Sequence, residues 1–315
     1  MRDLRIIFMG TPDFAVASLK KIVESGYNVV AVITAPDRPA GRGRKLQQSA
    51  VKEYAVEKGL HVLQPTNLKS PDFLEELKAL KPDLQVVVAF RMLPEIVWKL
   101  PKYGTFNLHA SLLPQYRGAA PINWALINGE EKTGISTFFI NENIDTGEMI
   151  LQEETKIAAE DTAGSLHDRL MQMGGELVLK TVDLVRNDQI QSIPQQEKGE
   201  LKPAPKLDRE NTKIDWSKPV REIANLIRGL DPYPAAWSIL VNDGAEMKVK
   251  IFEVEKELAE HGKLTGSISI EDKKVKVAAP DGFLFIKSIQ LPGKRKMEVK
   301  DLLNGFSFSP DAKFV

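Results

Sequence analysis

The segment Leu84-Gln85-Val86-Val87-Val88-Ala89 constrains the fold more than any other. It is nearly continuously apolar, so as a strand it must be covered on both faces. Strands of that kind belong to parallel sheets with helices on either side. Residues 4–9, ending at Gly10, and residues 29–33 are two further runs of this type. Helical spacing fills the gaps. Ala15, Leu19, Ile22 and Val23 recur on one face, and Val51, Tyr54 and Ala55 mark a second helix. Phe73, Leu74, Leu77 and Leu80 form the stripe of a third, which opens at Ser70-Pro71 with a hydroxyl cap and a proline where no N–H is needed. Short strands are expected at 61–63 and 106–109. The βαβα order predicts a Rossmann-like, mostly parallel sheet in an α/β domain.

Strands at 134–140 and 148–155 flank a turn at 141–147, and a long helix follows at about 165–185. Its face is Leu166, Leu170, Met173 and Leu177. Near residue 187 the chain becomes rich in Gln, Pro and Lys and loses periodicity, which reads as a linker. A helix at 219–228 then precedes five short strands, at 236–241, 247–253, 264–270, 274–278 and 283–290. Asn242-Asp243-Gly244 and Pro280-Asp281-Gly282 are turn signals. Five strands in so short a stretch predict a small OB-like β-barrel. The expected organisation is an α/β domain over 1–188, a linker over 189–207 and a barrel domain over 208–315. A chain of 315 residues exceeds one ordinary core, in keeping with two domains.

Lys plus Arg and Asp plus Glu both number 43, so the net charge is zero and a uniformly basic nucleic-acid binder is excluded, though a local basic patch is not. Residues 202–315 carry 20 Lys and Arg against 17 Asp and Glu, only mildly basic. Cysteine is absent, which excludes disulfide scaffolds, thiolate metal sites and cysteine nucleophiles. The opening apolar run is too short for a signal peptide, and no apolar stretch reaches the ~18 residues of a membrane span. A cytoplasmic protein without membrane contact is expected.

The richest stretch for chemistry is Asn107-Leu108-His109-Ala110-Ser111-Leu112-Leu113-Pro114-Gln115-Tyr116-Arg117-Gly118. On a strand, Asn107 and His109 lie two apart and face the same way. An amide and an imidazole so placed can act on one carbonyl, the amide stabilising an oxyanion and the imidazole moving a proton. Either side chain could equally be structural. Asp145, in Ile144-Asp145-Thr146-Gly147, can cap its turn or orient an imidazole. The loop Asp37-Arg38-Pro39-Ala40-Gly41-Arg42-Gly43-Arg44-Lys45 is either a solvated loop or a phosphate-binding arm. Gly10 begins a strand-to-helix turn that lacks the dinucleotide fingerprint, and Pro12 removes an N–H a pyrophosphate would use. Neither Gly-x-Ser-x-Gly nor His-Glu-x-x-His occurs, so serine and zinc hydrolases have no support.

Together these residues resemble the folate-dependent formyltransferase family. The likeness runs from Phe8-Met9-Gly10-Thr11-Pro12 through the basic loop to the stretch from Asn107 to Ile122 and to Asp145-Thr146-Gly147. Ile214-Asp215-Trp216-Ser217 and Ile227-Arg228-Gly229-Leu230-Asp231-Pro232-Tyr233-Pro234-Ala235-Ala236-Trp237 are similar to the start of the C-terminal domain in the branch that acts on methionyl initiator tRNA. The same start occurs in some sugar formyltransferases. Two departures stand out. Ala89-Phe90-Arg91-Met92-Leu93-Pro94 is one residue shorter than the family's Ala-Tyr-Gly-x-Ile-Leu-Pro, and Ala110 stands where Gly is common.

The resemblance implies a formyl donor, 10-formyltetrahydrofolate, an acceptor amine on methionyl initiator tRNA, and no metal. It implies catalytic roles for Asn107, His109 and Asp145. Folate contacts would come from Ser111, Leu112, Leu113, Pro114, Phe90 and Met92, and tRNA contacts from Arg38, Arg42, Arg44, Lys45 and Lys206. It implies a monomer. Alternatives are a formyltransferase acting on a small amine such as a nucleotide sugar, a folate-site hydrolase or dehydrogenase module, and a non-catalytic RNA-binding protein.

Overall fold

A computed structural model describes residues 2–40, 45–197 and 199–315. The chain forms two compact units. One comprises 1–121, 133–155 and 167–203, the other 122–132, 156–166 and 204–315.

In the first unit the expected alternation is present. It runs β1 (Arg5–Gly10), α1 (Asp13–Glu24), β2 (Asn28–Ile33), β3 (Arg38–Ala40), β4 (Lys45–Gln47), α2 (Ala50–Glu57), β5 (Val62–Leu63), α3 (Pro71–Ala79) and β6 (Leu84–Val88). After these come α4 (Glu95–Trp98), β7 (Thr105–His109), α5 (Pro121–Ile127), which from residue 122 on belongs to the second unit, β8 (Lys132–Phe139), β9 (Met149–Lys156) and α6 (Ala163–Arg186). The sheet order is β5-β2-β1-β6-β7-β8-β9. The first five strands run parallel and β8 runs antiparallel to β7. All five residues of β6 are buried, as a strand covered on both faces requires. One face packs Ile7, Met9, Ile33 and Val87 against Phe73 and Leu77 of α3 and Val97 of α4.

The chain winds outward from β1 to β2 and β5 and then crosses back to β6. Strand order therefore reverses between β1 and β6, and in such sheets the carboxyl ends of the strands open a crevice there. The segments that follow β1, β2, β6 and β7 all leave from that edge. They are the Gly10 turn, the basic segment, residues 89–94 and residues 110–118. Gly10 is a tight strand-to-helix turn: a methyl there would lie 2.6 Å from Ala15 Cβ and 3.0 Å from Val88 O.

Two local expectations are corrected. Ser70 supplies no side-chain cap to α3; its carbonyl, not its hydroxyl, takes the N–H of Leu74 at 3.0 Å. The basic segment read as a loop is in part a β-hairpin stem, with Arg38 opposite Gln47 and Ala40 opposite Lys45. Pairing gives its backbone groups partners that a bare loop would leave to water. Its base is tied down by Asp37, which accepts from Lys52 Nζ at 2.5 Å and from Gln64 Nε2 at 2.8 Å. Those bonds hold the Asp37 carboxyl below its ordinary pKa.

The second unit is built on α7 (Val220–Leu230) and an antiparallel sheet. Its strands are β10 (Ala236–Asn242), β11 (Ala245–Leu258), β12 (Ile268–Glu271), β13 (Lys274–Ala279), β14 (Gly282–Gln290), β15 (Met297–Glu298) and β16 (Lys313–Phe314). The order β12-β13-β14-β11-β10-β16 would leave two open edges. A bridge from Ser267 to Lys313 joins them, so the sheet curls closed in the barrel-like manner expected. Asp243 and Gly244, with φ of 50° and 73°, make the two-residue turn from β10 to β11. Val220, Ile223, Ile227 and Leu230 of α7 pack on Leu240, Val249, Ile251 and Ile286. Asp281 Oδ1, in the second turn signal, accepts the N–H of Val220 at 2.8 Å and so serves the start of α7. Two excursions from the earlier chain belong to this unit. Trp124 Nε1 donates to Pro205 O at 2.7 Å, and Arg228 donates to Ala158 O at 3.2 Å. No described helix is long and apolar enough to cross a membrane.

Candidate active site

Strand alternation places Asn107 and His109 on one face of β7 and Phe106 and Leu108 on the other. Phe106 and Leu108 are buried in the core. Asn107 is half-buried, and its carboxamide has no hydrogen-bond partner among the described residues. It is a polar donor left available at the edge where the parallel strands end.

His109 is 6% exposed, and both ring nitrogens face oxygen. Nε2 lies 2.8 Å from Tyr116 O. A carbonyl only accepts, so Nε2 carries the hydrogen. Nδ1 lies 3.7 Å from Asp145 Oδ2, close enough for an ion pair but beyond hydrogen-bond range. Nδ1 is therefore the nitrogen free to meet a substrate atom, with a carboxylate beside it. Asp145 Oδ2 is itself held by the N–H of Gly118 at 3.0 Å. The backbone of Asp145 has φ +54°, in the left-handed region, and Tyr116 has φ +61°. Both are unusual for residues with a side chain and cluster here at the imidazole. A methyl on Gly147 would collide with Phe139 O, so the turn carrying Asp145 closes only with glycine there.

The loop after β7 is fixed from beneath. Ser111 is fully buried and its hydroxyl donates to Gln115 O at 2.6 Å. Ser136 Oγ donates to Ser111 O at 2.7 Å and accepts from Leu113 N at 3.2 Å. Gln152 Nε2 donates to Leu113 O at 3.1 Å. Leu113 is buried, whereas Leu112 and Pro114 remain half-exposed. Of the four loop residues expected to meet a ligand, two thus turn into the protein and two present side-chain surface.

The other candidates fall as follows. Phe90 packs partly against the core cluster under β1 and β6, and Met92 is 71% exposed. Both follow β6, the neighbour of β7. Arg91, between them, donates to Thr66 O at 3.0 Å and to Pro65 O, tying this shortened segment to the chain after β5. Arg38 is exposed on the hairpin stem. Arg42 and Arg44 lie outside the described residues, as does the side chain of Lys45. Lys206 is exposed in the second unit, its carbonyl accepting from Asn211 Nδ2 at 3.0 Å. Among the described residues no cluster of three or more His, Asp or Glu is placed to hold a metal ion.

Sequence reasoning missed Gln195. Its Nε2 donates to Asp145 O and Gly147 O, both at 2.9 Å, and its Oε1 accepts from Arg117. It also missed the backbone partners Tyr116 O and Gly118 N.

An amide, an imidazole and a carboxylate gathered at the carboxyl end of a parallel sheet define an α/β enzyme equipped to stabilise charge on a carbonyl oxygen and move a proton beside it. Two family models match this chain: one described as formyl transferase over residues 4–182, and one as formyl transferase, C-terminal domain, over 206–307. The methionyl-tRNA formyltransferase of Bacteroides thetaiotaomicron is 55% identical over 316 residues, covering 99% of this chain and 98% of that protein. That of Flavobacterium johnsoniae is 55% identical over 313 residues, covering 99% of both. Among solved structures, an N-formyltransferase from Helicobacter canadensis in complex with folinic acid and dTDP-3-aminofucose superposes with a TM-score of 0.69. It is 24% identical and covers 93% of this chain and all of that one. The chain belongs to the methionyl-tRNA formyltransferase family.

Proposed function

We propose that this chain transfers the formyl group of 10-formyltetrahydrofolate to the α-amino group of methionine on initiator tRNA, acting as a cytoplasmic monomer that needs no metal. The observation that carries the chemistry is the Asn107 carboxamide, without a hydrogen-bond partner among the described residues, on the same strand face as a buried imidazole with the Asp145 carboxylate 3.7 Å from its Nδ1. Asn107 Nδ2 donates to the formyl oxygen as negative charge gathers on it when the amine attacks the carbon. His109 takes part from its Nδ1 side and Asp145 holds a compensating charge there. The proton lost by the amine ends on the folate nitrogen as its bond to the formyl carbon breaks. The bound donor supplies the activated formyl group.

The residues present suit such a donor. Leu112 and Pro114 offer apolar, half-exposed surface on a loop fixed by Ser136 and Gln152, and flat ligands favour pockets that are mostly apolar with few fixed polar groups. Ser111 and Leu113 act by holding that loop in place. Phe90 and Met92 follow the adjacent strand. The names of the close relatives support methionyl-tRNA as acceptor, and the folinic acid bound by the Helicobacter protein supports a folate as donor. Arg38 with Arg42, Arg44 and Lys45 would meet tRNA phosphates, as would Lys206.

Tetrahydrofolate binding tests the donor site. A ligand at 100 times its Kd stabilises the folded state by about 2.7 kcal/mol, so the unfolding midpoint must rise with folate concentration. A midpoint that stays constant up to millimolar folate refutes the reading.

A further inference from the structure

The described residues after α6 form no helix or strand up to residue 203, yet they are bonded repeatedly to the residues around His109. Ile193 and Met149 exchange backbone hydrogen bonds. Tyr116 N donates to Lys202 O at 2.7 Å, and Lys202 N donates to Gln115 Oε1 at 2.8 Å. Tyr116 is the residue whose carbonyl holds His109 Nε2. Gln195, half-buried among mostly exposed described residues of this segment, makes four side-chain hydrogen bonds.

Its amide is fully used. Nε2 has two hydrogens and donates both, to Asp145 O and Gly147 O. Oε1 has two lone pairs and accepts from Arg117 Nε at 3.2 Å and from another Arg117 nitrogen at 2.8 Å. Flipping the amide would set its oxygen against two carbonyls and its NH₂ against a guanidinium, so its orientation is determined by four partners. The two carbonyls it grips belong to the turn in which Asp145 has a left-handed backbone. A conformation of that kind is strained for a residue with a side chain and persists only where its surroundings hold it.

We propose that Gln195 is a positioning residue. It fixes the turn that presents the Asp145 carboxylate to His109, and thereby makes the segment after α6 part of the active site rather than a tether. The inference rests on Asp145 serving His109 as described above. Arg117, held on its other side by Glu197 at 2.6 Å, buttresses the Gln195 oxygen.

The test is single-turnover formyl transfer from 10-formyltetrahydrofolate to charged initiator tRNA by the full-length protein. The variants are Gln195→Ala, Gln195→Glu, Asp145→Asn and the double variant Gln195→Ala/Asp145→Asn. Misplacing a catalytic group by about 1 Å costs up to ~100-fold, so Gln195→Ala should slow transfer by about 10–100-fold while folate affinity stays within about twofold. Gln195→Glu has the same shape and keeps an oxygen for Arg117, but it faces the two carbonyls with an acceptor. It should be at least as slow as Gln195→Ala. Because Gln195 acts through Asp145, the double variant should be no more than about twofold slower than Asp145→Asn alone. A merely structural role would lower the melting temperature and multiply the two losses. If Asp145→Asn transfers at the wild-type rate, the assignment of Asp145 falls. If Asp145→Asn is slow but Gln195→Glu transfers at the wild-type rate, or if the losses multiply, the Gln195 inference is overturned and the Asp145 assignment stands.

Discussion

Asn107 and Leu108 are adjacent on β7 and should respond to truncation in opposite ways. The Asn107 side chain is half-exposed and has no partner in the described structure, so Asn107→Ala leaves no buried group unsatisfied. Its cost to stability should be under about 1 kcal/mol, as for surface changes away from any network. Removing an oxyanion donor, by contrast, costs about 10²–10³ in rate, or roughly 3–4 kcal/mol of transition-state stabilisation. Leu108 is 4% exposed on the opposite face, with Gly174 of α6 packed against it. Leu108→Ala opens a cavity there and should cost about 2–5 kcal/mol in folding, with transfer by the folded fraction much less affected than in Asn107→Ala. The assay pairs single-turnover formyl transfer with urea unfolding of the same preparations. The reasoning is refuted if Asn107→Ala unfolds as readily as Leu108→Ala, or if its whole defect appears in the substrate KM and saturating substrate restores the rate.

Three further outcomes are expected. Asp37→Asn removes the charged anchor of the hairpin stem, so the KM for charged tRNA should rise while the folate KM holds. In the wild type the Asp37 carboxyl titrates below its ordinary value because Lys52 and Gln64 bond to its charged form. The anchor should therefore be fully present above the unfolded carboxylate pKa near ~4 and be lost as pH falls through the lower folded value, as amide exchange in the stem would report. Gly147→Ala should lower both stability and transfer rate, since the added methyl runs into Phe139 O, and a variant indistinguishable from wild type in both would discard the turn argument. The KM for tRNA should rise between about 50 and 200 mM salt as counterion release predicts, and Arg42→Ala/Arg44→Ala should flatten that slope. An unchanged slope in the double variant would remove those arginines from the RNA contact.

The parts legible in the sequence are those whose signal is local and periodic. The apolar run from residue 84 announces a strand covered on both sides, and Leu84–Val88 are all buried; the strand stops one residue before the expected end, because Ala89 turns into the left-handed region at φ +48° and is exposed. Asn107 and His109 announce a shared face because side chains alternate along a strand. Asn242-Asp243-Gly244 announces a hairpin because two positions need positive φ. The illegible parts depend on contacts between distant residues. Gln195 lies 50 residues from Asp145 in a run of Gln, Pro and Ile without periodicity, and nothing local distinguishes it from Gln196. Ser111 and Leu113 turn inward because Ser136 and Gln152 reach them from β8 and β9. The strands of the basic hairpin are three residues each, too short for alternation to show among prolines and glycines. The grouping of residues 122–132 and 156–166 with the second unit follows from partners such as Pro205 and Arg228, far along the chain.

The measurement that tests the account most directly offers three acceptors to the same protein with 10-formyltetrahydrofolate: methionine-charged initiator tRNA, free methionine and an amino sugar nucleotide. The account predicts formyl transfer to the charged tRNA, with the two small amines left unmodified on the same timescale. Transfer to the sugar nucleotide but not to the tRNA would contradict the acceptor and leave only the Asn107–His109–Asp145 chemistry standing. Transfer to none of the three would contradict the chemistry itself.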